Sequence, residues 1–447
     1  MTVGTPSKQS PGSWSAVVIP AVALAYFMFR PVGFNEILVP VIGLFGFVAF
    51  VVVVFGHRPL APEILGAIGL VLLVGLMGAI VGVDNPGLTG GILVWLVSPV
   101  IFGLWVFSGD ERLIKTLLHV ALFATILLST GILLYVGGNL GVIPQIVPPL
   151  LMEQAGAGFG SDQSGFIGIR YLGLSSLVAL APMWVTASIV ASHELLPRRL
   201  LCVLAAVLAP AATLVAGRNA IVVVLVLVPV VVWLLARLLT RGGPSKIPPS
   251  KVLLSLLSLC LLTFALPRII ANAGLQRTWA SLTSFLTDTE RSGSSESIRN
   301  TQADQLLKAW ADAPFFGQGW GAVVVDYVRS ESRPWTFELQ YHMLLFQVGI
   351  AGAMVLSAAA VLSVVAILGA IKVRPDILPV VLVTGAAALA MIIANASNPY
   401  LQAPGHMWSV YLVLMVANVA LSGVRTTGGN GATFVQGRPI PRSEGPT

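Results

Sequence analysis

Glu338 and His342 stand at the entrance of a long apolar run, in "FELQYHMLLFQVGIAG", residues 337–352. They are four residues apart, so on a helix they share one face. A carboxylate at such a boundary can accept a hydroxyl proton, and an imidazole one turn deeper can orient it or share that proton. Which of the two is the base stays open. Three arginines flank other apolar runs. Arg170 closes a stretch rich in Gly and Pro, Arg218 lies in "LVAGRNAIVVV" between two runs, and Arg299 opens "SIRNTQADQLLKAWADAP". A guanidinium near a bilayer is costly unless it snorkels to lipid phosphate or meets an anion. Singly, each arginine fits either fate. Three around one region favour an anion site, and guanidinium forks grip phosphate oxygens in pairs, so a diphosphate is the natural guest.

Two further stretches carry weaker signals. "APFFGQGWGA", residues 313–322, has the Gly spacing of a nucleotide loop but no strand before it. A tight turn ending a helix is the simpler expectation. In "NASNPYLQAPGHMW", residues 395–408, Asn398 and Tyr400 can contact sugar hydroxyls, as can Asn395 and His406. The Asn-Pro and Pro-Gly pairs there are equally turn punctuation. No cluster of Asp, Glu or His in the segments between runs has ligand spacing, so neither a metal nor a cofactor is expected.

These residues are positioned by a chain of 447 residues, 56% hydrophobic and 10% charged, with a mean hydropathy of +0.90. A water-soluble protein of that length needs far more polar surface. Repeated apolar runs of bilayer length predict an all-α membrane protein of about 12 transmembrane helices. The ranges are a cytoplasmic N-terminal tail over 1–13 with no removable signal, helices 1–9 over 14–271, and an external loop over 272–337. Helices 10–12 follow over 338–423, then a flexible cytoplasmic tail over 424–447. Short basic connections such as "HELLPRRL" and "KVRPD" fall on the cytoplasmic side, which sets both termini inside. The net charge of +7 is spread over loops beside membrane spans and is no nucleic-acid signature. Cys202 and Cys260 lie in apolar runs and read as small core residues. Within the external loop, Ala303, Leu306, Leu307, Trp310 and Ala311 share a helical face, with Ser297 as cap and Pro314 as stop. An amphipathic helix on the outer surface is expected there.

The order of these blocks resembles the O-antigen ligase and polymerase superfamily, bacterial enzymes acting on undecaprenyl-pyrophosphate-linked glycans at the outer face of the inner membrane. The resemblance covers roughly residues 160–405 and is sharpest in Arg299–Gly321 and Glu338–Gly352. It matches Arg218 and Arg299 to the family's two arginines and Pro314–Gly319 to its "P-x-x-G-x-G" turn. Ligases of the family carry a histidine eleven residues before the first glycine of a "G-x-x-G" pair. Here that position, counted from Gly349, is Glu338. The departure is similar to repeat-unit polymerases. The resemblance implies an inverting, metal-independent transfer at the outer face. Donor and acceptor would be lipid-linked glycans, with membrane lipids around the protein and, in some systems, a chain-length regulator. A ligase moving finished glycan to a lipid A-core acceptor is the nearest alternative. A polysaccharide or lipid transporter is a further one, disfavoured because almost every charge sits at a span end.

Overall fold

The computed structural model describes residues 12–31, 37–56, 60–139, 143–148, 150, 158–161, 167–170, 172–215, 219–239, 294–325, 327, 328 and 330–429. It is a bundle of apolar helices: α1 (Gly12–Phe29), α2 (Leu38–Phe55), α3 (Pro62–Val81), α4 (Leu88–Ser108) and α5 (Glu111–Asn139). A two-stranded ribbon follows, β1 (Gly158–Ser161) and β2 (Ile167–Arg170), antiparallel with Gly158 opposite Arg170. Then come α6 (Leu177–Ile189), α7 (Arg199–Val215), α8 (Asn219–Leu239), α9 (Ser294–Ala311), α10 (Gln340–Val373), α11 (Leu378–Ala394) and α12 (Trp408–Gly429). The span expected near 252–271, the loop to residue 293 and Cys260 lie outside the described residues, as do 1–11 and 430–447.

Among the described residues, six stretches are long and apolar enough to cross a membrane: α2, α3, α4, α5, α10 and Pro375–Ala394. Shorter apolar helices lie within α1, α6, α7, α8 and α12. The chain is a helical membrane protein. Its outer helices are apolar on every side, as lipid-facing helices must be. In α2, Val39 is 68% and Phe55 73% exposed, while Phe45 is buried. Inward, Phe27, Phe45, Phe102 and Trp105 interlock, with the Phe45 and Phe102 rings 5.7 Å apart. Helix α6 forms the centre of the bundle, with Leu177–Met183 and Trp184 buried throughout. The Trp184 indole donates to Thr125 Oγ1 on α5 at 2.8 Å, so this polar atom enters an apolar core without remaining unsatisfied.

Proline shapes α4. Pro99 has no N–H to give to the carbonyl four residues back, and the helix widens into a π turn over Leu93–Val97 just before it. Ser98 Oγ donates to Leu93 O at 2.8 Å within that widened turn. The carbonyl of Trp95 then lies against Gly75 of α3, where a Cβ would come within 2.2 Å of it.

Two ends of the bundle are fixed by bridges between connections. At one end Arg374 pairs with Glu111 and with Asp376 (3.0 Å), and His193 approaches Asp376 at 3.8 Å. These groups join the start of α5 to the α6–α7 and α10–α11 connections. At the other end Ser176 Oγ donates to Met28 O, Gly87 N to Gly321 O, and Tyr341 OH to Ile392 O. The candidate site belongs to this second end.

The helices depart from expectation in detail. Helix α10 begins at Gln340, so Glu338 precedes it and the four-residue spacing to His342 does not place the two on one helical face. Helix α9 begins at Ser294, ahead of the expected cap Ser297. Its buried stripe runs through Gln302 and Leu306, whereas Leu307 is 40% exposed and Ala311 is exposed. The reason is its partner: α9 packs on the start of α10 and on the loop before it, through Phe337, Met343, Phe346 and Ala322. That surface rotates the contact stripe away from the one a flat interface would select. Helix α12 continues to Gly429, past the expected boundary at 423.

Candidate functional site

The turn after α9 is built into the membrane helices. Gly317, Gly319 and Gly321 all have positive φ, at 69°, 83° and 74°. L-residues other than glycine rarely adopt that conformation, and it lets the backbone touch its neighbours. Helix α10 breaks at Gly349, φ 62°. The break opens two helical hydrogen bonds, those that Ile350 N and Ala351 N would make to the carbonyls of Phe346 and Gln347. The turn satisfies all four freed groups. Ile350 N donates to Pro314 O and Ala351 N to Phe315 O, while Phe346 O and Gln347 O accept from Gln318 N and Gly319 N, each at 2.9 Å. Trp320 then enters α3: its backbone N–H donates to Gly78 O and its indole to Gly75 O at 2.8 Å. The indole also stacks on Trp95 of α4 at 5.1 Å. Asn85 donates to the carbonyls of Gln318 and Trp320. The tight-turn expectation for 313–322 describes these facts better than a phosphate loop, since the backbone N–H groups of Gly317, Gln318, Gly319 and Trp320 are already engaged.

That anchorage fixes α9 against the start of α10. Arg299 Nε then lies 3.0 Å from Glu338 Oε2, joining residues 39 apart in sequence. Both are partly shielded, with side-chain exposures of 37% and 20%. Gln302, one helical turn along α9 and buried, accepts from the backbone N–H of Glu338 (2.9 Å) and of Leu339 (3.0 Å). Composition concealed this residue, because a glutamine on an amphipathic helix reads as polar surface. The only available signal was its position between Arg299 and Leu306 at i, i+3 and i+7.

His342 is half-buried on the first turn of α10 and makes no hydrogen bond to Glu338. Arg218 lies outside the described residues. Arg170 ends β2. The α11–α12 connection reaches α10 through Gln402, whose amide donates to Gln340 Oε1 at 2.8 Å. This brings the segment carrying Asn398 and Tyr400 beside the residues that follow Glu338. Asn398 Nδ2 donates to Ser397 Oγ. The Tyr400 ring meets His406 edge-on at 5.7 Å. Asn395 is buried, and its side chain accepts from Leu401 N, which makes it part of the turn's framework.

His406 is a framework residue as well. In the fully buried imidazole, Nδ1–H donates to Tyr400 O at 2.8 Å and Nε2 accepts from Ser175 Oγ at 2.9 Å. Burial pushes the imidazole down to about 4, partly opposed by the bond to Tyr400 O. The unfolded chain therefore takes up this proton first. Stability contributed by neutral His406 is present above about pH 6.5 and is lost as pH falls toward 4, by roughly 3 kcal/mol in full. Thermal unfolding of the detergent-solubilised protein should show that loss, and His406→Gln should flatten it. An unchanged pH dependence in the variant would assign the loss to other groups.

No protein-family model matches the chain, and no curated protein matches it. The class is therefore set by the helices themselves, a helical membrane protein. Its candidate site is a cation–carboxylate pair at one end of the bundle.

Proposed function

We propose that the protein is a membrane glycosyltransferase of about twelve transmembrane helices that polymerises a surface polysaccharide at the outer face of the bacterial inner membrane. The donor is glycan carried on undecaprenyl pyrophosphate. Arg299, with Arg170 and Arg218, holds the diphosphate. Glu338, with His342 as its neighbour, takes the proton of the acceptor hydroxyl as that oxygen attacks the anomeric carbon and the lipid diphosphate departs. Attack opposite the leaving group inverts the anomeric centre. Asn398 and Tyr400 lie toward the glycan, and no metal takes part. The end of the bundle holding Arg374, Glu111 and His193 faces the cytoplasm, with both chain termini, and the 272–337 segment is external.

The observation that supports this reading is the meeting of Arg299 and Glu338 at 3.0 Å. A phosphate-binding cation beside a proton acceptor is what transfer from a diphosphate to a hydroxyl requires. It is also the block in which the sequence resembles the O-antigen ligase and polymerase superfamily most closely.

Deletion of the gene, followed by gel analysis of surface glycan, tests it. A polymerase leaves a single repeat unit in place of the ladder. Complete loss of attached glycan, with long lipid-linked chains accumulating, would instead mean a ligase, and an unaltered ladder would exclude both. Because no divalent ion is assigned a role, EDTA should leave the rate of the purified protein unchanged. Complete inhibition reversed by Mg²⁺ would contradict the mechanism.

A further inference from the structure

We infer that Gln302 is a positioning residue for the Glu338 carboxylate, an inference that rests on Glu338 being the proton acceptor. Glu338 lies just outside α10, and its N-cap neighbour Leu339 has no side-chain cap of its own. Helix α10 holds the Leu339 carbonyl, through Met343 N at 2.9 Å, but its N-cap supplies no side-chain acceptor for the N–H groups of residues 338 and 339. Gln302 supplies one from another helix. Its Oε1 accepts both N–H groups, and its Nε2 donates to Tyr327 OH at 3.2 Å, which fixes which way round the amide sits. With the residue buried, losing either bond would leave polar groups without water to replace the partner. Arg299 is three residues earlier on the same helix, so it faces the same neighbour. Helix α9 thus grips one residue twice, Arg299 at the carboxylate and Gln302 at the main chain. Shifting α9 moves the cation and the carboxylate together, and the spacing between diphosphate and proton acceptor stays constant. Displacements of about 1 Å at a reacting group cost on the order of 10²-fold in rate.

The test uses the full-length protein in detergent, with the lipid-linked glycan extracted from cells lacking the gene as substrate. Gln302→Leu keeps the volume and removes the acceptor. Its kcat should fall by about 10²-fold with little change in KM, and the amides of 338 and 339 should exchange with deuterium faster. Gln302→Glu keeps an acceptor for both N–H groups and adds a charge beside Glu338. It should restore most of kcat. It should also move the acid limb of the pH–rate profile upward, because a like charge raises a carboxyl pKa. A residue 302 that does not adjoin the Glu338 carboxylate in the working enzyme would leave that limb in place. Wild-type kcat in Gln302→Leu beside an inactive Glu338→Gln overturns the inference while sparing the proposed function. An active Glu338→Gln overturns both. If Gln302→Leu does not fold, the pH limb of Gln302→Glu decides, and an unshifted limb counts against Gln302.

Discussion

Glu338→Gln should remove polymer from cells and lower turnover of the purified protein by about 10²–10⁴-fold, the usual contribution of a general base. The substitution is isosteric. The amide oxygen can still accept from Arg299 and the backbone contacts of Gln302 are untouched, so folding and substrate binding should survive. What disappears is the capacity to take a proton. His342→Asn should cost no more than the lower end of that range, since His342 makes no hydrogen bond to Glu338 and α10 starts between them. Comparing the two in one reconstituted assay assigns the base. A larger loss in His342→Asn would move that role to the histidine.

The second large effect concerns folding. Gly319→Ala should sharply reduce the yield of folded protein and lower its melting temperature, with a cost of at least ~3 kcal/mol from backbone strain and overpacking together. A Cβ at Gly319, a residue held at φ 83°, would lie 2.2 Å from the backbone N of Gly82, the residue that caps α3. Neither atom is the end of a flexible side chain, so relief requires the turn to withdraw from α3. Withdrawal also breaks the bond from Gly319 N to Gln347 O, exposing the gap in α10. Since the turn anchors α9, the Arg299–Glu338 pair should be lost with it. Normal thermal stability of Gly319→Ala, read by fluorescence-detected melting, would show that the turn is more yielding than its contacts imply.

The apolar runs and the two charges that meet as the Arg299–Glu338 pair were readable because each depends on local composition. Lipid demands apolar side chains for a whole span, and Arg299 and Glu338 were conspicuous as charges at span ends. What escaped was determined by distant partners. Helical spacing put Glu338 and His342 on one face, but α10 starts at Gln340 because the preceding residues are capped by Gln302 from α9. The face of α9 was misjudged at Leu307 because the buried stripe follows Phe337 and Phe346, 30 or more positions later. Gly78 on α3 and Gly82 just past its end are spaced as close-packing glycines, and they mark the slot that receives Trp320. Gly349 bends α10 back and lets the turn complete its hydrogen bonding.

The proposed function turns on one guanidinium, Arg299, serving a diphosphate next to a carboxylate, Glu338, that serves a hydroxyl. Binding of undecaprenyl diphosphate, the lipid that the proposed transfer would leave, separates these duties without requiring turnover. Titrated into the purified protein and followed by native mass spectrometry, it should bind wild type and Glu338→Gln alike. Arg299→Ala should bind at least tenfold more weakly, the lower end for losing a hydrogen-bonded charge pair. Undiminished affinity in Arg299→Ala would show that the arginine does not hold the diphosphate, and the proposed chemistry would fail with it.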